Sequence, residues 1–159
     1  MAIVPSSAGR DRVAADAEAR GIAIEFIERF TASSLEEAAS IMGIDPSAIV
    51  KSLVVKRHDG TFLFALIPGH KQISWAKLRA VVGVNKLQLP DKQIAFEATG
   101  YERGTITPLG STTAWPVFAD ESIVGKRVSL GAGEHGLSAF VQADELIAGL
   151  DATVADISD

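Results

Sequence analysis

The segment Ile49-Val50-Lys51-Ser52-Leu53-Val54-Val55 constrains this chain more than any other. Its β-branched content predicts a strand. Strand alternation then puts Ile49, Lys51, Leu53 and Val55 on one face and Val50, Ser52 and Val54 on the other. Lys51 therefore shares a face with three aliphatic side chains. An ammonium there must be paired, lose its proton, or line a cleft that admits an anionic or polar ligand. The plain alternative is an edge lysine whose stem lies on the sheet and whose charge reaches water.

A turn through His58-Asp59-Gly60 and the apolar run Thr61 to Ile67 make this strand the first arm of a hairpin. Upstream, Arg10 to Arg20 is alanine-rich and suits a helix that Gly21 stops, and Ile22 to Ile27 reads as a strand. Ser34 with Glu37 three residues later forms a capping box, predicting a helix to about Met42 that ends at Gly43. Asp45-Pro46 opens a short turn or helix leading into the Lys51 strand. Ser74 caps a further helix to about Val82, with Gly83 as its stop. Hairpins with intervening helices predict a mixed α/β, α+β-like fold around a largely antiparallel sheet, not a doubly wound one. Residues 1–9 are expected to be a loose tail and residues 10–159 a single domain, a length that supports its own core.

The absence of cysteine excludes a disulfide framework, a thiolate metal site and a cysteine nucleophile. Met1 to Arg12 lacks the apolar stretch of a signal peptide. No run approaches the roughly 18 apolar residues of a membrane span, and the cytoplasm is the expected compartment. The net charge of -5 conceals a division. Between residues 51 and 127 eleven Lys and Arg face six Asp and Glu, whereas residues 128–159 carry six acids and no Lys or Arg. A local basic face can meet phosphates despite an acidic total.

Two glycine-bearing loops follow. Thr99-Gly100-Tyr101-Glu102-Arg103-Gly104-Thr105-Ile106-Thr107-Pro108-Leu109-Gly110 carries three glycines and a proline, marking a constrained loop whose backbone N–H groups can approach a ligand. Gly131-Ala132-Gly133-Glu134-His135-Gly136 lies between Val128-Ser129-Leu130 and the strand-like Leu137 to Val141. It has neither the lysine and hydroxyl of a P-loop nor the glycine spacing of a dinucleotide fingerprint. Taken singly, each loop is also compatible with an ordinary turn.

Together, Ile49-Val50-Lys51-Ser52-Leu53, the Gly100-Tyr101-x-x-Gly104-x-x-x-Pro108-Leu109-Gly110 pattern and the glycines before Gly136-Leu137 resemble the YbaK/ProX family of aminoacyl-tRNA deacylases. The similarity extends from about Ile22 through Ala143-Asp144-Glu145-Leu146 to Asp156-Ile157. This family is related to the editing insertion of bacterial prolyl-tRNA synthetases. The resemblance implies a curved sheet wrapped by helices and hydrolysis of a mischarged aminoacyl-tRNA ester, with Cys- or Ala-tRNA for proline as the main candidates. It implies no cofactor and no metal, and a transient complex with an aminoacyl-tRNA synthetase. Lys51 matches the family's essential lysine. Gly104 and Pro108 match an element that shapes the amino-acid pocket, and Gly131, Gly133 and Gly136 match the third motif. Where free-standing Cys-tRNA deacylases commonly carry an arginine beside the last glycine, this chain has His135.

Ester hydrolysis needs a positioned water, oxyanion donors and a leaving group, here a ribose hydroxyl. Lys51 and His135 are the catalytic candidates: Lys51 to hold a phosphate or carbonyl, His135 to position water or accept a proton. Ser52, Thr99, Gly100, Gly104, Pro108, Gly110, Gly131, Gly133 and Gly136 are the substrate-binding candidates. No Ser-His-Asp spacing or metal-ligand cluster is visible. Two other functions fit the same residues: a silent module that binds aminoacyl-tRNA without cleaving it, and a partner-binding domain. Trp75 is expected to pack in or near the core, and Trp115 is a weaker candidate for the pocket wall.

Overall fold

The computed structural model describes residues 8–28 and 34–159. In chain order the elements are helix α1 (Ala8–Ala19), strand β1 (Glu25–Glu28), α2 (Leu35–Met42), β2 (Val50–Arg57), β3 (Phe62–Pro68), α3 (Trp75–Val82), β4 (Leu87–Gln88), α4 (Lys92–Thr99), β5 (Val117–Asp120), β6 (Arg127–Gly131), β7 (Leu137–Gln142), α5 (Ala143–Leu150) and β8 (Thr153–Ala155). Of the expected tail, only Ala8 and Gly9 are described, both within α1.

The mixed α/β class is what the chain builds, with its strands divided between two sheets. One has the order β1-β7-β6 and is antiparallel throughout. The other has the order β4-β2-β3-β5-β8, antiparallel from β4 to β3 and parallel from β3 to β8. The hairpin sets Lys51 opposite Ile67 and Val55 opposite Leu63. A single parallel bridge, Ile49 to Ser129, joins the start of β2 to β6, and a cavity forms at this seam.

Local signals explain most boundaries. The Ser34 hydroxyl accepts from Glu37 N–H at 3.0 Å, and Gly43 ends α2 in the left-handed region. Ser74 and Gly83 do the same for α3. The strand expected from Ile22 begins instead at Glu25. Ile22 N–H donates to Ala17 O at 2.8 Å, closing the end of α1. The Ala23 N–H goes to Glu145 at 3.1 Å. Both amides are thus committed elsewhere and cannot join a ladder. Helix α4, in a stretch where the sequence reading named no element, starts where Asp91 accepts from Ile94 N–H at 2.8 Å.

The larger sheet is covered on both faces. Val50, Val54, Phe64 and Leu66 pack toward β6, β7, α1 and α5. Val55, Leu63, Ala65 and Ile67 pack with Leu78 of α3 and Ile157. Trp75 joins this second cluster from the helix start, as expected. Asp120 ties the chain end to β5, accepting from Ile157 N–H at 3.0 Å and Ser158 Oγ at 2.9 Å as well as from Ser122. Burial alone would raise its carboxyl pKa, but these hydrogen bonds outweigh burial and hold it below the usual value. Among the described residues no helix is long and apolar enough to cross a membrane.

Candidate active site

A cavity of about 760 Å³ opens at the seam between the sheets. Val50, Ser52 and Val54 of β2 line it together with Ser129, Leu130 and Gly131 of β6 and Ser138 of β7. Leu35, Ala38 and Met42 of α2 contribute, as do Lys92 and Ala95 of α4 and Arg103, Gly104 and Ile106 of the following loop. The surface is mainly apolar with a few polar groups, the usual character of a small-ligand site.

Lys51 lines this cavity. Its neighbours on the strand face, Leu53 and Val55, belong to the α3-side cluster, in keeping with the alternation read from the sequence. Lys51 Nζ donates to the carbonyl oxygen of Lys71 at 2.7 Å. Burial pushes the ammonium pKa below its ordinary value. Of the alternatives posed by the sequence, Lys51 thus combines partial burial, a hydrogen-bonded head group and a place at the cavity. One N–H is engaged by Lys71 and two remain for other acceptors.

Ser52 lies on the opposite strand face. Its hydroxyl is buried and has no hydrogen-bond partner among the described residues. Buried polar groups are nearly always paired, so this hydroxyl stands out beside the cavity.

The two glycine loops approach the cavity through Gly104 and Gly131. Gly131 is required by space: a Cβ there would stand 2.3 Å from Ile106 O, so the two loops lie backbone against backbone. The other candidate glycines, Thr99 and Pro108 lie outside the lining of this cavity. Thr99 is fully buried, its hydroxyl donating to Ala95 O at 2.8 Å and accepting from Tyr101 N–H at 3.1 Å. Gly100 ends α4 in the left-handed region. Pro108 is buried. Gly110 N–H donates to Asp16 at 2.8 Å, and Gly133 N–H to Thr105 O at 3.0 Å. Gly136 sits in the exposed β6–β7 turn.

Arg12 of α1 binds several of these residues, and sequence reading missed it. Its guanidinium donates to the carbonyls of Thr99, Gly100 and Gly110 at 2.6–3.2 Å. It also lies over the Tyr101 ring, 4.4 Å from the centroid. The Tyr101 hydroxyl donates to Leu109 O at 2.7 Å, closing the loop on itself. Burial, only partly opposed by Arg12, pushes the phenol up to about 12. Nothing in the sequence pairs Arg12 with residues some ninety positions away.

His135 stands outside the cavity lining. It is 68% exposed, with Nε2 3.1 Å from Glu102 Oε2 and its ring near Gly104. Trp115 packs edge-on against Phe62 and donates to Ala98 O at 2.9 Å, away from the cavity wall. Part of the positive charge seen in the sequence gathers elsewhere. Lys56, Arg57, Arg79 and Lys86 line a polar recess beside β4.

Two packed sheets enclosing an apolar cavity, entered by a lysine strand and two glycine loops, define a small-ligand domain of mixed α/β architecture. Residues 31–148 match the aminoacyl-tRNA editing domain, and the chain belongs to that family. A protein of Enterococcus faecalis described as a Cys-tRNA(Pro)/Cys-tRNA(Cys) deacylase is 25% identical over 126 residues, covering 79% of this chain and 77% of its own. The proline–tRNA ligase of Thermosipho melanesiensis is 30% identical over 99 residues, 62% of this chain but only 17% of the ligase. The chain thus spans less than a fifth of the length of that ligase. Among solved structures, one described as a trans-editing enzyme for prolyl-tRNA synthetase superposes with a TM-score of 0.85 at 28% identity, covering 99% of both chains.

Proposed function

We propose that the protein is a free-standing trans-editing hydrolase that cleaves the ester of mischarged aminoacyl-tRNA, with the aminoacylated 3′ end in the cavity. One observation carries this reading. The cavity of a family editing domain brings Lys51, the unpartnered Ser52 hydroxyl and both glycine loops to one apolar chamber. The likeness to a trans-editing enzyme, at 28% identity and a TM-score of 0.85, supports the hydrolase reading.

In the reaction, water attacks the ester carbonyl and the electron pair of the C=O moves to oxygen. Backbone N–H groups of the Gly104 and Gly131 loops are the donors for that oxyanion. Collapse of the tetrahedral intermediate breaks the bond to the ribose oxygen, which takes a proton and leaves as the 3′-terminal hydroxyl. The amino acid departs as its carboxylate. Lys51 uses its free N–H groups to hold a phosphate or carbonyl of the bound end. His135, paired with Glu102 beside Gly104, is assigned to water positioning or proton acceptance at the cavity edge.

The names of the relatives favour tRNA for proline as carrier and cysteine as the amino acid; alanine stays a candidate from the family resemblance. The likeness to a segment of proline–tRNA ligases fits a transient complex with a synthetase. The test is deacylation of Cys-, Ala- and Pro-tRNA for proline by wild type and Lys51→Ala. Hydrolysis of one mischarged species, lost in the variant, supports editing and identifies the substrate. No turnover of any species by wild type overturns the hydrolase reading, and binding without turnover replaces it with a silent module.

A further inference from the structure

We propose that the exposed ring of Phe96, flanked by Lys92 and Arg103, is a stacking platform for the nucleotide preceding the esterified terminal adenosine of a bound tRNA. The inference rests on the editing function proposed above and extends its binding site beyond the cavity.

Helix α4 turns Ala95, Ala98 and Thr99 inward, and Phe96 is left 43% exposed on the opposite side. Phe96 contributes to a second recess with Lys92, Gln93, Glu102 and Arg103. Lys92 and Arg103 also line the main cavity. The two chambers therefore share a wall made of two cations. A dinucleotide laid across that wall would put one nucleoside in each chamber and its linking phosphate between them.

The charges suit this occupant. Neither Lys92 nor Arg103 makes an ion pair among the described residues, so both are available to a phosphate. Against these two cations the recess itself is lined by one carboxylate, Glu102, while Glu97 and Asp91 keep their charge outside that lining. Glu102 pairs with His135 at 3.1 Å, Glu97 accepts from Gln93 at 3.3 Å, and Asp91 caps α4. An exposed aromatic bordered by basic side chains is the arrangement that binds single-stranded nucleic acid, with bases stacked on the ring and phosphates held by cations. An apolar protein partner would have no use for two unpaired cations beside the ring.

The test compares wild type, Phe96→Ala and Phe96→Trp on two esters of the same amino acid: aminoacyl-tRNA and aminoacyl-adenosine, which lacks the preceding nucleotide. Affinity for uncharged tRNA is measured in parallel. Phe96→Ala is expected to lower kcat/KM for the tRNA ester about tenfold more than for aminoacyl-adenosine, with a similar loss of tRNA affinity, and Phe96→Trp to restore both. Equal effects on the two esters and unchanged tRNA affinity would overturn the platform while leaving the editing reading intact. If wild type hydrolyses neither ester but binds tRNA through Phe96, the platform stands and the editing reading fails. If wild type neither hydrolyses either ester nor binds tRNA, both fail. A melting temperature for Phe96→Ala close to that of wild type separates these effects from misfolding.

Discussion

Lys51 Nζ lies 2.7 Å from the carbonyl oxygen of Lys71, so the β3–α3 connection fixes where the ammonium of β2 stands. Burial lowers its pKa from the model-compound 10.5, and the unfolded chain binds this proton more tightly than the folded one. The charged lysine therefore costs stability at neutral pH, and that cost fades as pH rises from below the folded pKa toward 10.5. Lys51→Met is expected to lower deacylation by about 100-fold or more. Its stability should stay within about 1 kcal/mol of wild type, since removing a partly buried charge offsets the lost hydrogen bond. Initial rates and calorimetry on the same samples check both halves.

Tyr101 is the only tyrosine in the chain, so its ionisation can be followed directly by ultraviolet absorbance. With the folded phenol near 12, above the ordinary 10, the contribution of its neutral form is complete below pH 10. It is lost as pH climbs from 10 toward 12. Phenolate absorbance is expected to stay flat through pH 10 and to rise together with loss of near-ultraviolet circular dichroism. A titration centred at the free-tyrosine value in still-folded protein would show that the phenol is accessible.

Asp120 makes the opposite case. Its lowered carboxyl pKa means that stability is fully present above about pH 4, the unfolded carboxylate range, and is lost as pH falls through the folded value. Asp120→Asn keeps the shape and removes the charge that Ile157, Ser158 and Ser122 donate to. A loss of about 2–3 kcal/mol in urea unfolding at pH 7 is expected, shrinking as pH drops toward 3.

Gly131→Ala tests the contact between the two loops. The new methyl would meet Ile106 O at 2.3 Å, and neither backbone can yield without moving the cavity wall. A destabilisation of about 1–3 kcal/mol is expected. The fall in kcat/KM should exceed what the folded fraction accounts for.

The sequence made the β2–β3 hairpin and helices α2 and α3 legible, because Ser34, Ser74, Gly43 and Gly83 are local signals acting within a turn of their effect. Lys51, Gly104 and Gly131 were legible as candidates, and all three line the cavity. Gly100, Gly110 and Thr99 were read as ligand contacts, yet their carbonyls face Arg12. Glycine content reports a backbone conformation and not what approaches it. The division of the strands into two sheets, joined between β2 and β6 by the bridge from Ile49 to Ser129, has no local residue pattern to announce it.

The reach of Arg12 across 98 residues to Gly110 has a consequence for how the protein loses function. The segment from Tyr101 to Pro116 has no regular secondary structure, and one side chain on the first helix holds the Gly110 carbonyl within it and the Thr99 and Gly100 carbonyls just before it. Helix ends and irregular loops open at lower free energy than paired strands. Release of the first helix would scatter the loop while the β2–β3 hairpin stays intact. Inactivation by heat or denaturant should thus run ahead of the unfolding seen by circular dichroism, so that a sample can look folded and already be catalytically dead.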